Sequence, residues 1–263
     1  PKDAIVLFDG KNFDQWAKLE FKEWLKGSGP VESWKITEDG AMEVVPEAGS
    51  IITKQVFGDI HLHFECRLLG EKTNGGIYFM SRYEINIKDS YGQVGGSPNG
   101  SFGNISKPKD KYPSVNMAYP TYEWQSFDID FRAPRFDKAG TTKIENARIS
   151  IVHNGVQTYK DIEMEAVKGA TGVLGEAGVG PIYLQEHGTA YQFRNIWVID
   201  KTVKGTKNAK TLAQPKAKKG GNKAGGNKSK GEGETTSAAK TSTEVVAPAG
   251  KKKGSNGKNV EAS

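Results

Sequence analysis

Residues 60–68 read Ile-His-Leu-His-Phe-Glu-Cys-Arg-Leu, nine positions in which every second side chain is apolar. Side chains that alternate between two sides with a period of two belong to a β-strand with one packed face and one wet face. The same alternation recurs over residues 127–131, 149–153, 183–187 and 192–198. Turn-forming residues separate these runs: Asp39-Gly40, Asn74-Gly75-Gly76, Asn99-Gly100, Asn154-Gly155 and Gly180-Pro181. The Asn154-Gly155 pair predicts a tight hairpin, because both residues tolerate positive φ. Only residues 12–24 have room for more than two helical turns, and their apolar spacing fits a helix poorly. Many strands, short glycine turns and almost no helix predict an all-β sandwich or jelly roll.

The formal charge of +6 over 263 residues conceals a division. From Lys201 onward there are fifteen lysines, no arginine and four glutamates, a net of +11, so residues 1–200 carry −5. The basicity belongs to that segment and is weak evidence for a nucleic-acid-binding fold. The segment also lacks Phe, Trp, Tyr, Ile and Cys. Such a composition cannot bury enough apolar surface to offset ordering costs of about 1–2 kcal/mol per residue, which predicts a disordered tail over 201–263. The folded domain is expected over 1–200, where all the aromatic residues lie.

Cys66 is the single cysteine, so no intrachain disulfide can form. A domain of this size does not need one, since it buries about 70% of its unfolded surface. No run approaches the ~18 apolar residues of a membrane-crossing helix. The first residue is Pro1 and not Met, consistent with a removed export signal, and the expected location is secreted, periplasmic or cell-surface. Residues 93–122 are rich in Gly, Pro, Ser and Asn and lack periodicity. A loop that long in a compact domain is usually functional.

Several runs place chemistry-bearing side chains on one strand face. In residues 83–89, Glu84, Asn86 and Lys88 share a face while Tyr83, Ile85 and Ile87 point to the core. That face is either a polar binding surface or ordinary solvated decoration. In residues 180–188, Tyr183, Gln185 and His187 share a face, and His187 is either a ligand-reaching acid or base or a structural histidine. Asn74 leads a glycine pair that permits close backbone approach, and Tyr78 after it offers a stacking ring. Trp124 is either a second stacking platform or a core-edge residue. Arg67, on the polar side of the 60–68 run, is counted with the binding residues. Arg194 reads as holding a carboxylate from a neighbouring strand. His61, His63 and Glu65 lie two apart on one face, a spacing that can chelate a divalent ion. Phosphate loops, nucleophile elbows and helical His-Glu-x-x-His motifs are absent.

Taken in order, these motifs resemble a known family. They are Leu7-Phe8-Asp9-Gly10-Lys11-Asn12 with Trp16, Asn74-Gly75-Gly76-Ile77-Tyr78, residues 83–89, Trp124-Gln125-Ser126-Phe127-Asp128-Ile129, Phe131-Arg132-Ala133-Pro134-Arg135-Phe136, His153-Asn154-Gly155, residues 180–188 and Phe193-Arg194-Asn195-Ile196. Together, across residues 5–200, they resemble the 3-keto-disaccharide hydrolase domain. The resemblance implies a concanavalin A-like jelly-roll sandwich, a bacterial exported protein, and action on 3-keto glycosides by elimination at C1/C2 followed by hydration. It implies acid/base work by Glu84 and His187. The enolate oxygen would be stabilised by Lys88, Gln185 or a divalent ion, the one cofactor left open. Tyr78, Asn86, Gln185, Tyr183, Asn74, Trp124 and Arg67 would bind the sugar. The chain departs from the family pattern where Asn86 replaces a Gln and Lys88-Asp89 replaces Leu-Asp, changes that bear on substrate choice and turnover.

Two other readings compete. A glucanase of the same fold needs acids at alternate positions of one strand, and the register Glu84, Asn86, Lys88 lacks the second and third. A non-catalytic carbohydrate-binding or surface-assembly protein would use the basic tail as an adhesive arm on acidic polysaccharide or the cell surface. Nucleic acid is a weaker partner for that tail, because its lysines come without arginine or interleaved aromatics.

Overall fold

A computed structural model of the protein describes residues 1–20, 27–94, 102–167 and 175–202. Of the lysine-rich segment, Lys201 and Thr202 are described and bond to Asp59 O and Gly58 N–H, and the expectations for residues 203–263 lie outside the described residues. The described residues form fifteen strands and no helix. First come β1 (Ile5–Phe8), β2 (Trp16–Lys18), β3 (Lys35–Ile36), β4 (Met42–Glu43) and β5 (Ile51–Phe57). Then follow β6 (Ile60–Leu68), β7 (Asn74–Phe79), β8 (Tyr83–Lys88), β9 (Gln125–Arg132), β10 (Arg135–Phe136) and β11 (Lys143–Glu145). The order ends with β12 (Ala147–His153), β13 (Val156–Met164), β14 (Gly180–Leu184) and β15 (Tyr191–Asp200).

Eight strands make one sheet, ordered β13-β12-β9-β6-β15-β4-β3 with β1 also paired to β15. Five make the second, ordered β2-β5-β14-β7-β8, and β10 pairs with β11 apart from both. The chain passes repeatedly from one sheet to the other, as in a jelly-roll sandwich, which is the expected all-β class. The alternating runs supply the facing surfaces. In β6 the residues Ile60, Leu62, Phe64, Cys66 and Leu68 are buried, and the four between them are half-exposed. Across the gap, Phe79 and Tyr83 of the smaller sheet pack on Phe131 of the larger, with ring centroids 4.8 and 5.4 Å apart. Burying each such ring contributes about 2–3 kcal/mol.

The hairpin forms as predicted: Asn154 and Gly155 have φ of 50° and 78°, and His153 pairs with Val156. Residues 12–24 are not helical where described. Trp16–Lys18 runs extended along β5, and the Trp16 indole Nε1 donates to the Leu7 carbonyl at 2.8 Å. The alternating run at 183–187 is shorter as a strand than its sequence suggests, because β14 ends at Leu184. Of the long loop, residues 95–101 lie outside the described residues. Residues 103–106 lie along β8, with Asn86 N–H donating to Asn104 O at 2.8 Å and Ser106 N–H to Glu84 O at 3.0 Å. This loop therefore borders the strand that carries Glu84.

Candidate active site

The outer face of the five-stranded sheet collects polar side chains in rows set by strand register. Tyr78 of β7 pairs with Glu84 of β8 on one side and Tyr183 of β14 on the other. Two residues back along β7, Gly76 pairs with Asn86, and the Gln185 N–H donates to the Gly76 carbonyl at 2.9 Å. Two further back, Asn74 pairs with Lys88, and its Nδ2 lies 2.7 Å from Nδ1 of His187. Since all of these share one parity on β7 and β8, they share one face.

Gly76 is the floor of this group. A Cβ placed on it would lie 2.8 Å from Glu84 Oε1, 3.0 Å from the Tyr78 ring and 3.3 Å from Gln185 Oε1. The two oxygens thus converge over a bare Cα, no more than about 6 Å apart. Lys88, Asn74 and His187 form a second row about 7 Å further along the strands, the advance of two residues. Glu84 and His187 are neither on opposite sides of the molecule nor sealed in its interior. The carboxylate leans toward the floor from one end, and the imidazole stands beside Asn74 at the other.

Glu84 also accepts the Tyr78 hydroxyl. Burial and the adjacent Glu84 carboxylate both raise the Tyr78 hydroxyl pKa, so it stays protonated as a donor. Tyr183 is pushed up to about 12 by burial, against a lowering bond with Ser50, while the charges of Glu84 and Glu186 add to the rise. The stacking expected of Tyr78 and the sugar contact expected of Tyr183 do not fit these rings. Both are almost fully buried, at 3% and 2% exposure, with centroids 4.7 Å apart under Leu19 and Ile52. An apolar cluster on a sheet face buries its own aromatics before a sugar can reach them. Asn86 is also displaced from the binding role, because its Nδ2 donates to Asn104 O and Ser106 Oγ, both at 3.0 Å. It clamps the bordering loop.

Arg67 and Trp124 fall elsewhere, and so do the metal candidates. The core-facing parity of β6 belongs to Ile60, Leu62, Phe64 and Cys66, so Arg67, Glu65, His63 and His61 point outward from the larger sheet, across the core from Glu84. There the Arg67 and Arg194 guanidinium groups lie 4.5 and 4.1 Å from the Trp124 ring centroid. Arg194 Nε donates to Glu65 Oε2 at 2.6 Å, the carboxylate bond anticipated for it. His61 Nδ1 meets Asp130 at 3.1 Å and His63 Nδ1 meets Asp128 at 2.8 Å. Each donor is turned to its own cross-strand partner, and among the described residues no three metal-binding side chains converge. Spacing along one strand cannot reveal which neighbour claims each side chain.

Three residues that sequence reasoning missed hold the site together. Ser50 Oγ lies 3.1 Å from the Tyr183 hydroxyl and accepts the Glu186 N–H at 2.9 Å. Thr189 Oγ1 accepts the Asn74 N–H at 3.0 Å and donates to its carbonyl at 2.8 Å. The Tyr191 hydroxyl donates to the Gln185 carbonyl, fixing the chain where β14 has ended. None of these three residues stands out in a pattern of alternation. The glycine pair did, and its two members have different duties. A Cβ on Gly75 would come within 2.7 Å of three atoms of the fully buried Tyr191 ring and hydroxyl. Gly75→Ala should therefore destabilise the fold by about 2 kcal/mol, or roughly 4–8 °C in a thermal melt. An unchanged melt would show that Tyr191 has room to move.

A jelly-roll sandwich that gathers a carboxylate, an amide, an amine and an imidazole on one sheet face has the build of a carbohydrate-active protein. Residues 3–199 match the 3-keto-alpha-glucoside-1,2-lyase-like domain, and the chain belongs to that family. No protein of curated function matches it. Among solved structures it is similar to a candidate glycosyl hydrolase from Parabacteroides distasonis, with 31% identity and a TM-score of 0.61 over 76% of this chain and 84% of that one. A second candidate glycosyl hydrolase from the same organism shares the fold at 19% identity and a TM-score of 0.53, over 76% of this chain and 94% of the other.

Proposed function

We propose that the protein cleaves 3-keto glycosides by eliminating the C1 substituent and then adding water. The observation that carries this reading is the placement of Glu84 and Gln185 over the Gly76 floor, with Lys88 and His187 in the row behind. A ketone at C3 acidifies the hydrogen on C2. Glu84 removes that proton, and the electron pair passes into an enolate whose negative oxygen is at C3. Lys88 is the cation on this face to meet that oxygen, since Gln185 turns its carbonyl oxygen to the floor and is an acceptor there. The enolate then re-forms the ketone, C1=C2 forms, and the C1–O bond breaks. His187 gives the departing oxygen its proton. Water adds at C1 and gives up a proton that restores His187, and Glu84 returns a proton to C2, so the overall change is hydrolysis with no net oxidation. The family membership supports the keto sugar as substrate.

The test is to incubate the protein with a 3-keto disaccharide and with its unoxidised parent, with and without chelator, and follow release of free sugar. Turnover of the keto compound alone is expected. Equal turnover of the parent would point to ordinary glycoside hydrolysis, and binding without turnover to a lectin-like protein. A chelator-sensitive rate would transfer the oxyanion role from Lys88 to a divalent ion.

A further inference from the structure

We infer that Gln185 and Gly76 make the site selective for substrates bearing a free hydroxyl on the same carbon that gives up its proton. The inference rests on Glu84 acting as the base. Glu84 Oε1 and Gln185 Oε1 are both acceptors, and they face one point above Gly76, 2.8 and 3.3 Å from where a Cβ would stand. Two acceptor oxygens turned to a common gap repel each other unless a donor lies between them. The floor of that gap is a glycine Cα, which brings no side-chain N–H or O–H, and the Tyr78 hydroxyl already serves the Glu84 carboxylate. A donor for Gln185 Oε1 is therefore left to the substrate.

One carbon can satisfy both oxygens. Its acidic C–H points to Glu84 and its hydroxyl donates to Gln185, which fits a pair of acceptors no more than about 6 Å apart. In the proposed reaction that carbon is C2, so the group read by Gln185 is the 2-hydroxyl. Gln185 can hold this position because its backbone is tied at both ends of the peptide, its N–H to Gly76 O at 2.9 Å and its carbonyl to the Tyr191 hydroxyl. Gly76 is needed for a separate reason. Its φ is not in the left-handed region, so alanine suits the backbone, and the added methyl would strike the Glu84 oxygen itself.

The experiment compares a 3-keto glucoside with its 2-deoxy counterpart, which keeps an acidic C2–H and lacks the hydroxyl. Gln185→Ala should lower kcat/KM for the 3-keto glucoside by about 10–100-fold and for the 2-deoxy compound by less than about threefold. Gly76→Ala, with its fold checked by melting, should lower both by about 100-fold, because it displaces the base. Equal losses on the two substrates in Gln185→Ala would overturn the inference while leaving Glu84 in place. Full activity in Glu84→Gln would instead remove the base on which it rests. Failure of the unaltered protein to turn over the 3-keto glucoside would remove both.

Discussion

Replacing Glu84 by Gln is expected to lower kcat for a 3-keto glycoside by about 10²–10⁴-fold, the usual contribution of a positioned general base. The substitution keeps the side chain's length and its bond from Tyr78, since a Gln oxygen accepts that hydroxyl as the carboxylate does. It removes only the ability to take a proton. Glu84 is half-buried on the sheet's outer face, so the melting temperature should move by no more than about 2 °C. KM should change little if Gln185 and Lys88 carry binding. Single-turnover kinetics with the keto substrate, measured beside a thermal melt, separate the two effects. A loss of activity that tracks a loss of folded protein, or an unaltered rate, would take Glu84 out of the mechanism.

The second large effect concerns stability in acid and arises from His153. This residue lies in β12 with 1% of its surface exposed, stacked on Phe127 at 4.1 Å and edge-on to Phe102 at 5.4 Å. Its Nε2 donates to Gln125 Oε1 at 3.0 Å. Burial pushes its pKa down from 6.5 to about 3. The unfolded chain takes up this proton near pH 6.5, and the folded chain takes it up only near pH 3. Between those values the unfolded state binds more protons, so stability falls as pH drops through the window and is unaffected above it. The full loss is on the order of 5 kcal/mol, and about 2–3 kcal/mol should be gone by pH 4.5. Urea unfolding at pH 7.5, 6 and 4.5 measures it.

His153→Gln should flatten the profile in that window, at a cost of about 1–2 kcal/mol at neutral pH for the lost packing. The carboxylates with lowered pKa, such as Glu65 beside Asn195 and Arg194, act in a lower window. Their folded-state advantage is present above the ordinary carboxylate range and is lost as pH falls through it. A variant as acid-sensitive as the parent between pH 6.5 and 4.5 would rule out His153 as the source.

How far the sequence spoke differs from element to element. The run at 60–68 announced a strand, its buried parity and its wet parity, because a period of two leaves a side chain no other choice of face. The Asn154-Gly155 turn was equally local, since positive φ is a property of the two residues themselves. Glu84 and Lys88 on one face, and Tyr83, Ile85 and Ile87 on the other, followed from the same alternation. The run at 183–187 misled because side-chain alternation persists for a few residues after the ladder has stopped. Arg67 and Trp124 misled for a deeper reason: alternation tells which side chains are wet and is silent about which of the two sheets they belong to.

The sequence by itself therefore determined the all-β class, the parity of the strands at 60–68, 83–88, 127–131 and 149–153, and the residue types available for chemistry. These depend on backbone geometry over five to ten neighbours. Only the tertiary structure decided that β7, β8 and the end of β14 lie side by side, that Tyr78 and Tyr183 are covered, and that Glu84 and Gln185 meet above Gly76. Such facts turn on which strands pair and in what register, and pairing is settled by the burial of surfaces contributed by residues more than a hundred positions apart.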